Sequence, residues 1–292
     1  MRLYLEPRKL QRVAAEHVKS YESAQPFPHA VIDGVLPEEA LDELLRAFPD
    51  PVSDVWKEYD NHHEKKLETQ GEDRLADDVS LLLYQFNSAP FLKFLEQLTG
   101  IRGLIPDPYF SGGGLHQIVP GGKLGIHADF SRHPTLPLQR RLNALIFLNR
   151  DWKEEYGGHL ELWDRQMTRC IERIAPVYNR MVVFSTTDWS YHGHPHPLQC
   201  PEGMARKSVA LYYFTVDRPE GETIEGKEST LFVPLPGEEL PEDARLDRGA
   251  DYTGLKADHF VRDRRAGRAK RIVRKVTPPV FINAMRRLSK RD

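Results

Sequence analysis

The chain has 292 residues, about 40% of them apolar, enough to bury one large core or two modest ones. Its 41 basic and 43 acidic residues leave a formal charge of −2, which excludes a whole-molecule electrostatic attraction to nucleic acid or an anionic membrane. The only cysteines, Cys170 and Cys200, are too few for a disulfide framework or a thiolate zinc site and fit a reducing compartment.

In chain order, residues 1–100 carry mostly helical patterns and form an N-terminal helical support. The start, "MRLYLEPRKLQRVAAEHVKSYES", lacks the apolar centre of a signal peptide and reads as an amphipathic helix over 6–23. A second helix is expected over 36–48 with Pro37 in its first turn, and a third over 89–100, stopped by Gly100. Between them lies the polar segment 55–78, long for a plain connection, with Trp56, Tyr59 and Lys65; it reads as a surface loop or a lid.

Residues 101–217 change texture. Short β-like runs, "LHQIV", "KLGIHA", "RLNALIFLN", "HLELW", "RCIERI", "RMVVFS" and "SVALYYFTV", alternate with Gly, Pro and Asn, the pattern of a sandwich or barrel rather than of βαβ units. Its longest apolar runs, 144–148 and 209–214, are far too short to span a bilayer, and a soluble cytoplasmic protein is expected. Residues 218–292 are a C-terminal extension. From Arg262 onward 12 Lys or Arg stand against Asp263 and Asp292, a solvated amphipathic helix pair around Pro278 and Pro279 by the simpler reading, with RNA binding through 262–292 as the minor one.

The chemistry concentrates in "GGKLGIHADFSRH". Residues i and i+2 of a strand share a face, so His127 and Asp129 present an imidazole and a carboxylate to one point. Roughly one His-x-Asp is expected by chance in a chain with 12 histidines and 20 aspartates, so the context decides. That context is "YHGHPHP", where His192, His194 and His196 follow one strand and precede another that opens with Arg206 and Lys207. Two histidines and a carboxylate on a β scaffold form the facial triad of non-haem Fe(II) oxygenases. Arg206 suits a co-substrate carboxylate better than Lys207, because its planar fork binds bidentately; the two point to opposite faces, so only one looks inward.

The order of His-x-Asp, "RRLNALIFLNRDW", "GGHLELWD", "IAPVYNRMVVFST", "YHGHP" and "RKSVALYYF" resembles the 2-oxoglutarate/Fe(II) dioxygenases of the prolyl 4-hydroxylase-like type over about residues 103–217. The resemblance implies a mainly β fold with flanking α, a double-stranded β-helix (jelly roll, cupin-like) core with N-terminal helices packed on it. It implies His127, Asp129 and His192 as iron ligands and Arg206 as partner of the distal carboxylate of 2-oxoglutarate. His194 shares strand parity with His192 and is the alternative ligand; His196, between two prolines, belongs to a loop.

Relatives often place tyrosines that touch 2-oxoglutarate at positions occupied here by Gln117, Leu124 and Phe147, none of which has a phenolic hydroxyl. Gln117 can donate from its amide, and Asn143 shares a strand face with Phe147, so these four are the co-substrate contacts to examine. His116 reads as a satisfied structural histidine, His62, His63 and His133 as exposed loop residues, and Gly157–Gly158 as a hairpin turn. Trp189, Tyr191, Trp56 and Tyr59 are candidate substrate contacts.

The implied activity is hydroxylation of a C–H bond using Fe(II), 2-oxoglutarate and O2, with ascorbate as an accessory reductant. A prolyl or other amino-acid residue of a peptide or protein is the first substrate class. A small molecule, peptide natural product or glycan is the second, because substrate choice resides in loops. Two readings of other classes stand beside it, a catalytically silent RNA- or protein-binding module acting through the basic tail, and a cupin-like hydrolase or isomerase.

Overall fold

The computed structural model describes residues 3–69, 71, 74–218 and 229–241. The basic segment 262–292, with its expected helix pair, lies outside the described residues.

Helix α1 (Pro7–Ser23) opens on a proline, whose missing N–H costs nothing in a first turn, and buries Leu10, Ala14 and Tyr21 along one stripe. Strand β1 (His29–Asp33) follows. Helix α2 (Glu38–Arg46) carries Glu38 and Glu39 in its first turn and Arg46 in its last, matching the helix dipole, and Pro37 caps it from outside rather than sitting in its first turn. Helix α3 (Asp77–Phe86) was not expected; α4 (Ala89–Thr99) was, and Gly100 closes it in the left-handed conformation at φ 74°.

The segment expected as a loop or lid is a hairpin, β2 (Trp56–Asp60) and β3 (Glu64–Thr69), and β3 is built into the sheet. Its alternation was hidden because the inward positions are charged. Lys66 Nζ lies 3.3 Å from Glu64 and 3.1 Å from Glu68, so the face satisfies itself without apolar residues.

After the short β4 (Ile105–Pro106) come β5 (Gly114–Ile118), β6 (Lys123–Ala128), β7 (Gln139–Phe147), β8 (Leu160–Trp163), β9 (Cys170–Ile174), β10 (Arg180–Ser185), β11 (His192–His194) and β12 (Arg206–Thr215), then β13 (Leu231–Phe232). Each of the seven expected β-like runs contains a strand. The hydrogen-bonded order runs β1-β10-β7-β12-β5, crosses β3, and continues β6-β11-β8-β9, with every strand pair antiparallel. These two runs are the sheets of a jelly-roll double-stranded β-helix, and β3 joins them by pairing with β5 at one end and β6 at the other.

Strand β7 shows how the core is divided. Leu142, Ala144 and Ile146 belong to the large cluster shared with the helices, beside Leu10, Phe91 and Leu98, whereas Leu145 and Phe147, of the opposite parity, pack with Leu160, Leu162, Val182 and Phe184 inside the roll. No helix among the described residues is long and apolar enough to cross a membrane.

Phe91 is fully buried, its ring 5.1 Å from Phe86, 5.3 Å from Phe94 and 6.1 Å from Tyr213, where helix meets sheet. Phe91→Ala is expected to lower unfolding free energy by about 3–5 kcal/mol in urea titrations, through lost transfer energy and a residual cavity.

Candidate metal centre

The turn Val119–Gly122, closed by Gly122 N–H donating to Val119 O, leads into β6 and aims His127 inward. Asp129 follows just past the strand end. Across β6, strand β11 places His192 directly opposite His127, with ring centroids 4.4 Å apart. One ligand atom from each of His127, Asp129 and His192 lies within 4.8 Å of the others, and all three residues are buried. His194 lies farther along β11, outside this convergence.

Each imidazole is oriented from behind. His127 Nδ1 pairs with Gly125 O and His192 Nδ1 with Ser190 O, both at 2.9 Å. A carbonyl accepts only, so Nδ1 carries the proton and Nε2 keeps its lone pair for the site. Those Nε2 atoms stand 3.6 Å from Asp129 Oδ1 and 3.5 Å from Oδ2, respectively. Burial drives the His192 pKa down to about 4, with His127 adding to the effect, which keeps the ring neutral and able to ligate.

The carboxylate is held as firmly. Asp129 Oδ2 accepts from Asn143 Nδ2 at 2.7 Å and pairs with Arg140 Nη2 at 3.1 Å. Arg140, fully buried, also donates to Asn143 Oδ1 from Nε and Nη2, and its guanidinium lies 4.3 Å from the Phe130 ring centroid and 3.5 Å from that of Tyr212. Burial alone would raise the Asp129 pKa; Arg140, then His192 and His127, outweigh it and hold the carboxyl well below its ordinary range.

Arg206 opens β12 as expected, buried, with Nε donating to Gly158 O at 2.7 Å and its guanidinium 4.8 Å above the Phe147 ring. It forms no ion pair among the described residues, and burial pulls its pKa down to about 9. Gly158 is not a hairpin residue. It follows a 3-10 turn (Glu154–Tyr156), stands at φ +71°, and a Cβ there would come 2.6 Å from Leu198 and 3.0 Å from Arg206 Cδ. Lys207 points the other way, its ammonium 4.9 Å from the Phe48 ring centroid.

The triad and Arg206 line one cavity of about 440 Å³. Asn143, Leu124 and Tyr59 line it too, and Tyr59 donates to Glu68 Oε1 at 3.3 Å. Gln117 does not: it lies on the opposite face of β5 from His116 and Ile118, and Phe147 sits beneath Arg206 rather than in the lining. Trp56 packs on Phe48 and donates to Asp50 O, Tyr191 is away from the cavity, and Trp189 borders a different one of about 580 Å³. His116 lines the cavity with its ring bonded to Gly112 O, while burial lowers its pKa to about 4.

The expected exposure of three loop histidines is corrected. His63 is buried and stacked 4.7 Å from Phe232, His133 is buried 3.1 Å from Asp107 Oδ1, and His62 is half-buried. Sequence reasoning missed Arg140, Lys66 and Glu68. The available signal for Arg140 was a charge set at i−3 from Asn143 on an apolar strand, which does not separate it from Arg141.

Two imidazoles and one carboxylate match the donor set of a non-haem iron site, and a buried guanidinium without an acid partner among the described residues matches a carboxylate-bearing co-substrate. A family profile described as the 2OG-Fe(II) oxygenase superfamily matches residues 113–214, which span the triad, Arg206 and β5 to β12. Among solved structures, the chain is similar to a prolyl hydroxylase from Trichoplax adhaerens in complex with a hypoxia inducible factor oxygen degradation domain peptide fragment. The two share 16% identity at a TM-score of 0.53, over 71% of this chain and 91% of that one. It is also similar to a prolyl 4-hydroxylase from Phytophthora capsici, at 20% identity and a TM-score of 0.50, over 85% and 74% of the two chains. These likenesses show the jelly-roll fold; a search of the curated proteins finds no match. This core and its His-Asp-His triad lie in the segment, residues 113–214, that matches the 2OG-Fe(II) oxygenase superfamily, a match that implies Fe(II) and 2-oxoglutarate as metal and co-substrate.

Proposed function

We propose that the enzyme hydroxylates a C–H bond of an amino-acid unit, a prolyl residue of a peptide or protein first, with His127, Asp129 and His192 as the iron ligands and Arg206 as the anchor of the distal carboxylate of 2-oxoglutarate. The observation that carries this reading is the joint placement, in one cavity, of three converging buried ligand atoms and a buried guanidinium with no acid partner among the described residues.

When bound, Fe(II) with 2-oxoglutarate and O2 supplies the oxidation that adds one oxygen atom to substrate and leaves succinate and CO2. The chain's own residues prepare for it. Gly125 and Ser190 carbonyls fix the imidazoles, and Asn143 and Arg140 fix the carboxylate, so the ligand set is organised before the metal arrives. Arg206 offers a charge that bulk water scarcely screens, in a cavity whose lining also includes the apolar Leu145, Leu160 and Ile118.

The size of the cavity, about 440 Å³, supports a substrate that inserts one residue-sized group beside a five-carbon dicarboxylate. The wall built by Tyr59, Glu64, Lys66 and Glu68 offers donors and acceptors that suit an amino-acid unit, whether within a peptide or free. That charged wall is also the observation favouring the second reading, the same chemistry on a small polar molecule.

Asp129→Ala is expected to abolish Fe(II)-dependent succinate formation, together with the one-oxygen mass gain of a prolyl-containing peptide library; full turnover by the variant would contradict the ligand assignment. Asn143→Ala is expected to lower metal affinity about 10–100-fold in competition titrations, because the carboxylate then loses its orienting donor.

A further inference from the structure

His194 takes no part in the assignment above, yet it is 3% exposed, lines the same cavity, and has no hydrogen-bond partner among the described residues at either Nδ1 or Nε2. Buried polar side chains in folded proteins are almost always paired, so a ring bare at both nitrogens inside a ligand cavity marks a contact that a ligand completes. Its position says which ligand. The β11–β6 pairing sets His194 across from Leu124, past a register shift from the His192–His127 pair, and His194 and Leu124 both line the cavity. Arg206 and the triad line that same cavity, so the imidazole shares its space with both the anchor and the metal site.

Leu124 gives this placement its meaning. It occupies a position where the resemblance leads one to look for a tyrosine hydroxyl on the co-substrate, and its side chain can form no hydrogen bond. Given the reading of Arg206 as partner of the distal carboxylate, the geometry points to His194 as a second co-substrate-binding residue, whose ring N–H donates to that same carboxylate. The donor that β6 lacks at Leu124 is supplied from the strand beside it. A consequence is selectivity for a 2-oxo acid with a second carboxylate over one without it, since only the former engages both Arg206 and His194.

The test is isothermal titration into Co(II)-loaded wild type, His194→Leu and His194→Gln, using 2-oxoglutarate and 2-oxobutyrate, a 2-oxo acid that lacks the second carboxylate. His194→Leu is expected to weaken 2-oxoglutarate binding tenfold or more, roughly the loss of one hydrogen bond to a charged group, and His194→Gln to recover most of it through its amide donor. Co(II) affinity and 2-oxobutyrate affinity are expected to stay within about twofold of wild type, a split that a general collapse of the site would not produce. Unchanged 2-oxoglutarate binding in His194→Leu would overturn this inference alone. Loss of Co(II) affinity in both variants would overturn it by making His194 part of the metal site. Wild type that takes Co(II) but not 2-oxoglutarate would overturn the co-substrate reading of Arg206, and this inference with it.

Discussion

The site depends on how closely β11 approaches β6. At Gly193 a Cβ would lie 2.6 Å from Gly125 O and 2.8 Å from Leu124 O, so a residue with any side chain would force the two strands apart. The glycine is flanked by two histidines because strand parity sends both rings inward while the backbone between them presses on its neighbour. That approach sets His192 against His127, which lie 65 positions apart in the chain, and leaves their Nε2 atoms near Asp129.

Burial of charge is handled in three ways around this pairing. Asp129 is compensated by Arg140, which is itself enclosed by Asn143 and two aromatic rings, so the pair is removed from water with its hydrogen bonds largely met. Lys66 is compensated twice, by Glu64 and Glu68, on the strand that joins the two sheets. Among the described residues, Arg206 has only the Gly158 carbonyl and the face of Phe147. A buried cation left this way is costly to the folded chain, and an anionic co-substrate offsets that cost on binding.

The jelly-roll strands were legible because each carries either alternation or a short apolar run ended by turn residues, and all seven runs from "LHQIV" to "SVALYYFTV" hold a strand. His127 and Asp129 were legible from strand parity, whereas His192 and Arg206 were legible only through the family resemblance, because parity alone left His192 and His194 equivalent. Strand β3 was not, because Glu64, Lys66 and Glu68 give it a polar inner face that reads as loop. Buried His63 and His133 escaped for a related reason: a polar neighbourhood in sequence conceals a stacked Phe232 and an Asp107 partner that only the fold supplies. Gln117 reads as a pocket residue until the register of β5 turns it to the far face.

The central claim is that this cavity holds a 2-oxo dicarboxylate between a metal on the triad and Arg206. The most direct measurement is titration calorimetry of 2-oxoglutarate into anaerobic protein, with and without Fe(II), for wild type and Arg206→Ala. The account predicts binding that requires Fe(II) in the wild type and is lost, by roughly tenfold or more, in the variant, as expected when a charge-assisted bidentate contact is removed. Absence of binding to the Fe(II)-loaded wild type, or equal binding by Arg206→Ala, would contradict it.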